Sequence, residues 1–176
     1  MCAAIREGRD DRVRRARLEQ FAATLPAAAR QPYALLRKAA EAFARQSESE
    51  IDMSGTAAAG FAIKHVARRE NEFLETLLKA AQGGIPHASA AQLAQLERQL
   101  NADYRQLLAQ PSKQDDYPER LHYSTVTREN VRRTERAWLA YRDAWAPFLA
   151  AARLPVDLVS VRAQLTRQRI AQLKRI

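Results

Sequence analysis

The chain has 176 residues and a formal net charge of +9, and its only cysteine is Cys2. One cysteine excludes an internal disulfide, and the lack of an apolar run of about 18 residues argues against a membrane-spanning helix. The basic balance favours acidic partners such as nucleic acid, anionic lipid or an acidic protein, unless the arginines form only a solvated surface.

Helical periodicity dominates the first half of the chain. Pro26 and Pro32 are expected to break or restart the first helix, so a second helix is predicted from near Pro32 to Ile51. A third helix is predicted to end at Gly83–Gly84. The core-facing stripes predicted for the three helices are, in order, Asp10, Val13, Arg17, Phe21 and Leu25; Tyr33, Leu36, Ala40, Phe43 and Ser47; and Phe61, Val66, Phe73, Leu74 and Leu77.

The second half repeats this organisation. Ser89, with Gln92 three residues later, predicts a capping box at the start of a fourth helix. A long polar connection over residues 110–125 precedes a fifth helix, which is predicted to begin near Thr127 and to run to about Ala152. The apolar positions of the fourth and sixth helices are Leu93, Leu96, Leu100, Tyr104 and Leu108, and Leu158, Val161, Leu165 and Leu173.

Three helices, a glycine break and three further helices suggest an internal duplication. The matched positions are Val13, Phe21 and Leu25 with Leu96, Tyr104 and Leu108 at an offset of 83, Arg37, Ala42 and Phe43 with Arg132, Ala137 and Trp138 at 95, and Arg68 and Leu74 with Arg167 and Leu173 at 99. Because the offset grows only across loops, we predict an all-α bundle of six helices, with three-helix units at residues 1–83 and 88–176. The alternative is two unrelated helical halves with chance matches.

Three stretches of the second half carry a family resemblance. They are "LNADYRQLLA" (Leu100 to Ala109), "RRTERAWLAYRDAW" (Arg132 to Trp145) and "LTRQRIAQL" (Leu165 to Leu173). Together they resemble the domain of LprI-type lysozyme inhibitors, a family of small helical envelope proteins. The first half resembles it only through the internal repeat. The resemblance implies a periplasmic or envelope-associated protein without enzymatic activity, which binds another macromolecule, with a lysozyme-like hydrolase as the candidate partner.

The chain departs from the family pattern at two positions. The family usually joins two of these helices by a disulfide, and the resemblance places its cysteines at Ala146 and near Val161. Both positions are apolar here, so we expect them to touch through packing. The offsets make Ile51 and Ala62 the equivalent pair of the first half.

The aromatic residues of the fifth helix are predicted to face the core. Trp138, Tyr141 and Trp145 share one helical stripe with Val131 and Leu149. The neighbouring Arg142 and Asp143 are expected to brace other helices. The full set of predicted core residues is Phe21, Phe43, Phe73, Tyr104, Trp138, Tyr141, Trp145 and Leu165.

The sequence contains little that indicates catalysis. His65, His87 and His122 are scattered, and no spacing is typical of a metal site. The carboxylate pairs Asp10–Asp11 and Asp115–Asp116 lie in polar segments, where such pairs usually cap helices or form turns. We therefore predict no catalytic residue, no bound metal and no cofactor.

Two further features bear on partners. Arg128, Arg132, Arg133 and Arg136 form a candidate binding face, and a basic helical protein that binds nucleic acid in the cytoplasm is the alternative function. Cys2 is a candidate lipidation site if the mature chain begins there, and otherwise a plain exposed cysteine. Common lysozymes are themselves basic, so a partner of charge +9 would need a local acidic patch to dock.

Overall fold

The computed structural model describes residues 3–176, with side chains from Gly8 onward. Cys2, the candidate lipidation site, lies outside the described residues. Within them the chain forms six α-helices and one short 3₁₀ helix at Ser47–Glu50, and no strand, so the all-α prediction is confirmed. The α-helices are α1 (Ala3–Thr24), α2 (Ala27–Gln46), α3 (Ala58–Ala81), α4 (Ala90–Ala109), α5 (Arg128–Ala152) and α6 (Leu158–Leu173). None of the helices in this part of the chain is long and apolar enough to cross a membrane.

Side-chain caps begin the three helices of the second half. Ser89 accepts a hydrogen bond from the Gln92 amide, and the Gln92 side chain accepts one from the Ser89 amide, which confirms the predicted capping box. Thr127 caps α5, as predicted, and Asp157 caps α6. Each of these side chains satisfies a backbone amide of the first turn, so α4, α5 and α6 begin directly after a residue type that favours helix N-caps.

The stripe predicted for α1 is wrong in its first turns. Asp10, Val13 and Arg17 are exposed, with Val13 at 56%. The buried face is shifted by one residue and comprises Arg14, Leu18, Phe21 and Leu25. Arg14 can face inward because its guanidinium pairs with Glu70 and Asn71 of α3. Apolar periodicity alone predicts that Val13 faces the core, but the paired Arg14 faces it instead.

The boundaries of α2 and the start of α3 also differ from the predictions. Proline 26 is the N-cap of α2, and Pro32 lies within its second turn, where it removes one hydrogen bond without ending the helix. Phe61, predicted to face the core, is 59% exposed. Ala58 and Ala62 provide the buried face of this turn instead, because small residues allow the helix to approach its neighbours closely.

The bundle is organised around the packing of α2 against α5. On either side, α1 packs on α3 and α4 packs on α6, while α3 also contacts α2 and α6 also contacts α5. Exchanging the two halves of the chain would leave this set of helix pairs unchanged. The division into units at residues 1–83 and 88–176 is supported by this pairing and stays a proposal.

The expected contact between the positions of the missing cysteines also stays a prediction. Val161 is fully buried and Ala146 is half-buried on two helices that pack together. In the first half, Ala62 is buried and Ile51 is half-buried.

Candidate interaction surface

The aromatic residues of α5 lie inside the bundle. Trp138, Tyr141 and Trp145 are 1%, 5% and 0% exposed. Tyr141 stacks on Phe43 of α2 with 5.8 Å between ring centroids, and Phe73 of α3 meets it edge-on at 6.0 Å. Burial raises the pKa of the Tyr141 hydroxyl far above its usual range, so this group stays neutral. These rings build the core and are not available for docking.

The other residues predicted for the core divide into two groups. Phe21, Phe43, Phe73 and Leu165 are buried. Tyr104 is half-buried and packs against the core from α4. Its edge position leaves part of the ring facing the space between α4 and α5.

Arg142 and Asp143 brace the helices of the second half. The Arg142 guanidinium lies 5.3 Å from the centre of the Trp138 ring and pairs with Asp143 at 3.0 Å and with Glu97 of α4 at 3.9 Å. Arg162 of α6 approaches Asp143 at 3.6 Å. The two motif residues therefore connect α4, α5 and α6.

Arg169 is buried at the centre of an ion cluster that joins the two halves of the chain. Its two terminal nitrogens donate to the Glu50 carboxylate at 2.9 and 2.7 Å, and its Nε donates to Glu135 at 2.9 Å. Burial disfavours the guanidinium charge, but the two carboxylates outweigh this effect and raise the pKa of Arg169 above its usual value. Composition alone would place Arg169 at the surface with the other cations of α6, but its side chain is fully buried.

The missed signal for Arg169 was its spacing. It follows Leu165 by four residues and precedes Leu173 by four, so it shares their buried face. Arg162, by contrast, is half-buried and Arg167 is exposed, so the last helix carries only part of the cationic surface that its composition suggested.

The candidate arginine face is split by the structure. Arg132, Arg133 and Arg136 surround the exposed carboxylate of Glu129, which lies 3.9, 3.2 and 3.1 Å from them. Arg132 and Arg136 also line a groove of about 510 Å³ between α4 and α5, above Trp138 and Leu100. Arg128 belongs elsewhere, because its guanidinium is occupied by backbone carbonyls.

A second groove of about 320 Å³ lies between α1, α2 and α3. The repeat offsets map part of its lining onto the lining of the α4–α5 groove. The corresponding pairs are Arg14 with Glu97, Leu18 with Asn101, Arg37 with Arg132, Ala40 with Glu135 and Glu41 with Arg136. This correspondence supports the two-unit proposal, and the reversed charges in two pairs argue against a shared ligand.

The segment that joins α4 to α5, residues 110–127, is tied to the bundle by hydrogen bonds and buried side chains and is called the connecting segment below. Arg128 donates to the carbonyls of Leu108 at 2.9 Å, Pro118 at 2.6 Å and Gln110. Backbone bonds close the segment internally, and Leu121 and Val126 anchor it in the core. A segment anchored in this way can present side chains with little loss of entropy on binding.

Two tyrosines project from the connecting segment. Tyr117 is 44% exposed and Tyr123 is 69% exposed. The Arg120 guanidinium lies 3.7 Å from the Tyr117 ring centre, and the Lys113 amine lies 5.5 Å from that of Tyr123. Exposed tyrosine on an ordered loop is typical of protein-binding surfaces.

The connecting segment carries a local excess of acidic side chains although the chain as a whole is basic. The connecting segment contains three acidic residues, Asp115, Asp116 and Glu119, and two cationic ones. Residues 46–57, which are bonded to it through Asp52, add two exposed acidic residues, Glu48 and Asp52, and no lysine or arginine; the third acidic residue, Glu50, is buried against Arg169. The two segments together are called the acidic region below, and such a region is what a basic partner would need for docking.

His65 is the histidine whose environment differs most from water. Its Nε2 lies 3.1 Å from the Ser47 hydroxyl, which is buried and donates to the Ala44 carbonyl. That geometry stabilises the end of α2 and offers no open nucleophile. Burial lowers the pKa of His65 to about 4, helped by the charges of Arg69 and Arg68. Within the described residues, no three His, Cys, Asp or Glu side chains are grouped to hold a metal ion.

The lowered pKa of His65 predicts a pH-dependent stability. Between pH 6.5 and about 4 the unfolded chain binds a proton at His65 that the folded chain excludes. The free energy of unfolding is therefore unaffected by His65 protonation above pH 6.5 and decreases as the pH falls towards 4. Between pH 7.5 and pH 4.5 the free energy of unfolding of His65→Gln should fall by roughly 1–2 kcal/mol less than that of wild type. This value is smaller than the full pKa shift would give, because His65 is partly exposed. Urea unfolding at pH 7.5 and pH 4.5 measures it, with His87→Gln as the exposed control. Equal pH dependence in wild type and His65→Gln would contradict the prediction.

A model of the family described as lysozyme inhibitor LprI matches residues 78–173, more than half of the chain. The chain belongs to the lysozyme inhibitor LprI family. The match covers α4, the connecting segment, α5 and α6. It therefore includes both tyrosines of the connecting segment and excludes nearly all of the first half. No match was found among curated proteins or among solved structures.

Proposed function

We propose that this protein is a non-enzymatic inhibitor of a basic lysozyme-like glycosidase in the bacterial envelope, and that it docks through the connecting segment. Membership of the LprI family carries the proposal for the activity. The surface is proposed from the exposure of Tyr117 and Tyr123 on a segment that Arg128 holds in place.

Charge supports this choice of surface. A basic enzyme is repelled by the molecule as a whole but attracted by the acidic side chains of the connecting segment, which are exposed. Complementary charges at the contact orient the encounter and favour this face over the arginine-rich start of α5. Inhibition is therefore expected to weaken as salt screens the contact.

The tyrosines are proposed as the main anchors. A tyrosine ring buries a large apolar area, its hydroxyl keeps a hydrogen bond, and only two side-chain torsions are fixed on binding. Tyr123 is the most exposed large side chain with apolar character in the described residues, so its contact area is free. Placing this ring in the glycan-binding cleft would exclude the substrate.

The proposal is tested by turnover of cell-wall glycan by a basic lysozyme with a molar excess of the protein. We expect wild type to suppress turnover, and the double variant Tyr117→Ala with Tyr123→Ala to raise the inhibition constant about tenfold or more, which is the usual effect of losing two anchor residues.

Leu35→Ala is the matched control, because Leu35 is 57% exposed on α2 and lies outside the connecting segment. Unchanged turnover with wild type would refute the proposed function. Suppression by wild type and the double variant alike would instead refute the docking surface.

A further inference from the structure

The turn that follows the short 3₁₀ helix, residues 51–57, is bonded directly to the connecting segment. Asp52 Oδ1 accepts hydrogen bonds from the Thr125 amide and the Thr125 hydroxyl, both at 3.1 Å. The Met53 amide donates to the same hydroxyl at 2.7 Å. Thr125 is therefore held by three hydrogen bonds from a turn that lies some 70 positions earlier in the chain.

These bonds act on the base of the turn that presents Tyr123. Within the connecting segment, the Leu121 amide donates to the Val126 carbonyl across this turn, and the Ser124 hydroxyl donates to the Leu121 carbonyl. Outside the segment the partner is Asp52, through Thr125. Tyr123 thus projects from a turn that is closed by hydrogen bonds between its own residues. The same turn is also bonded to Asp52 of the first half of the chain.

The turn over residues 51–57 exposes a further apolar side chain close in the fold to the base of the Tyr123 turn. The Met53 side chain is 47% exposed, and its amide is bonded to a residue two positions after Tyr123. Asp52 is itself exposed, and hydrogen bonds from Ser54 and Thr125 lower its pKa, so it carries its negative charge at neutral pH. Adaptable apolar side chains beside an acidic group suit a contact with a basic protein.

We propose that residues 51–57, which lie outside the residues matched by the family, form part of the docking surface. Asp52 acts as a positioning residue that holds Tyr123 through Thr125, and Met53 contacts the basic glycosidase beside that ring. This inference rests on the proposed function, but its positioning step concerns the free protein and can be measured without the enzyme.

Four variants separate positioning from charge. Asp52→Ala removes the acceptor and the charge, and Asp52→Asn keeps an acceptor oxygen but removes the charge. Glu48→Ala removes one exposed charge nearby, and no hydrogen bond joins its side chain to the connecting segment. Met53→Ala removes only the exposed side chain. Melting temperatures should stay close to wild type, because all of these positions are exposed.

The first measurement is amide hydrogen exchange in the free protein. We expect exchange of the Thr125 amide to become about tenfold faster in Asp52→Ala, to be largely restored in Asp52→Asn, and to be unchanged in Glu48→Ala. Unchanged exchange in Asp52→Ala would overturn the positioning role, whatever the enzyme assay gives.

The second measurement is the inhibition constant with a basic lysozyme. We expect Asp52→Ala and Met53→Ala each to raise it about fivefold, and Glu48→Ala to change it less than about twofold. If wild type inhibits and both variants inhibit equally well, the inference is overturned while the proposed function stands. If wild type does not inhibit, the proposed function fails and the docking role of Met53 fails with it.

Discussion

Replacing Arg169 with alanine is expected to lower the free energy of unfolding by about 3–5 kcal/mol, which is the usual cost of removing one partner from a buried ion pair. The guanidinium is fully buried, and Glu50 is 5% exposed. Without Arg169, Glu50 and Glu135 would face each other in the interior without a cation. Chemical denaturation monitored by tryptophan fluorescence measures the loss.

Two variants make the Arg169 prediction specific. Arg167→Ala removes an exposed arginine of the same helix and should change the free energy of unfolding by no more than about 0.5 kcal/mol. Arg169→Met combined with Glu50→Gln removes charge from both sides of the cluster, so it should recover part of the stability lost in Arg169→Ala. Equal losses for Arg167→Ala and Arg169→Ala would show that the cluster does not stabilise the fold.

Replacing Trp145 with alanine is expected to cost about 3–5 kcal/mol, because the substitution leaves a cavity that a packed core fills only in part. The ring is fully buried and lies within 6.5 Å of three other rings, with centroid distances of 6.4 Å to Phe73, 6.5 Å to Tyr141 and 5.9 Å to Phe148. It therefore joins α3 to two turns of α5.

Trp145→Phe and Leu139→Ala are the comparisons for this cavity. The phenylalanine keeps a ring in the cluster and should cost clearly less than alanine. Leu139 is on the same helix but 37% exposed, so its truncation should have a small effect. Unfolding curves give the free energy of unfolding of the three variants. If Trp145→Ala lowers it as little as Leu139→Ala does, the aromatic cluster is loosely packed.

Much of the fold could be predicted from the sequence because the signals are local. The capping box at Ser89, the start of α5 at Thr127 and the end of α3 before Gly83 depend on residues within a few positions of each other. The aromatic stripe of α5 could be predicted equally well, since three large rings on one face of a helix are expected to be buried in the core.

The errors concern side chains whose place depends on partners far along the chain. Arg14 and Arg169 face inward because Glu70 and Glu50 meet them there. Helical spacing can place Arg169 on the buried face of α6, but it cannot show which distant carboxylate makes that burial possible. Arg128 was read as part of a surface for the same reason, since the carbonyls that occupy it come together only when the connecting segment folds.

The acidic region could not be predicted either, although all its residues are visible in the sequence. Its two segments lie on opposite sides of the glycine break, and the bond between Asp52 and Thr125 brings them together. Net charge describes the chain as a whole and cannot show that two segments of a basic protein bring exposed acidic residues together.

The ion cluster around Arg169 also bears on where this protein can be divided. A fragment cut at residue 78 would keep Arg169 and Glu135 but lose Glu50, and it would bare the side of α5 that α2 covers. The residues matched by the LprI family, 78–173, therefore do not contain all the partners on which their own buried groups depend, and we expect a fragment limited to them to be less stable than the full chain.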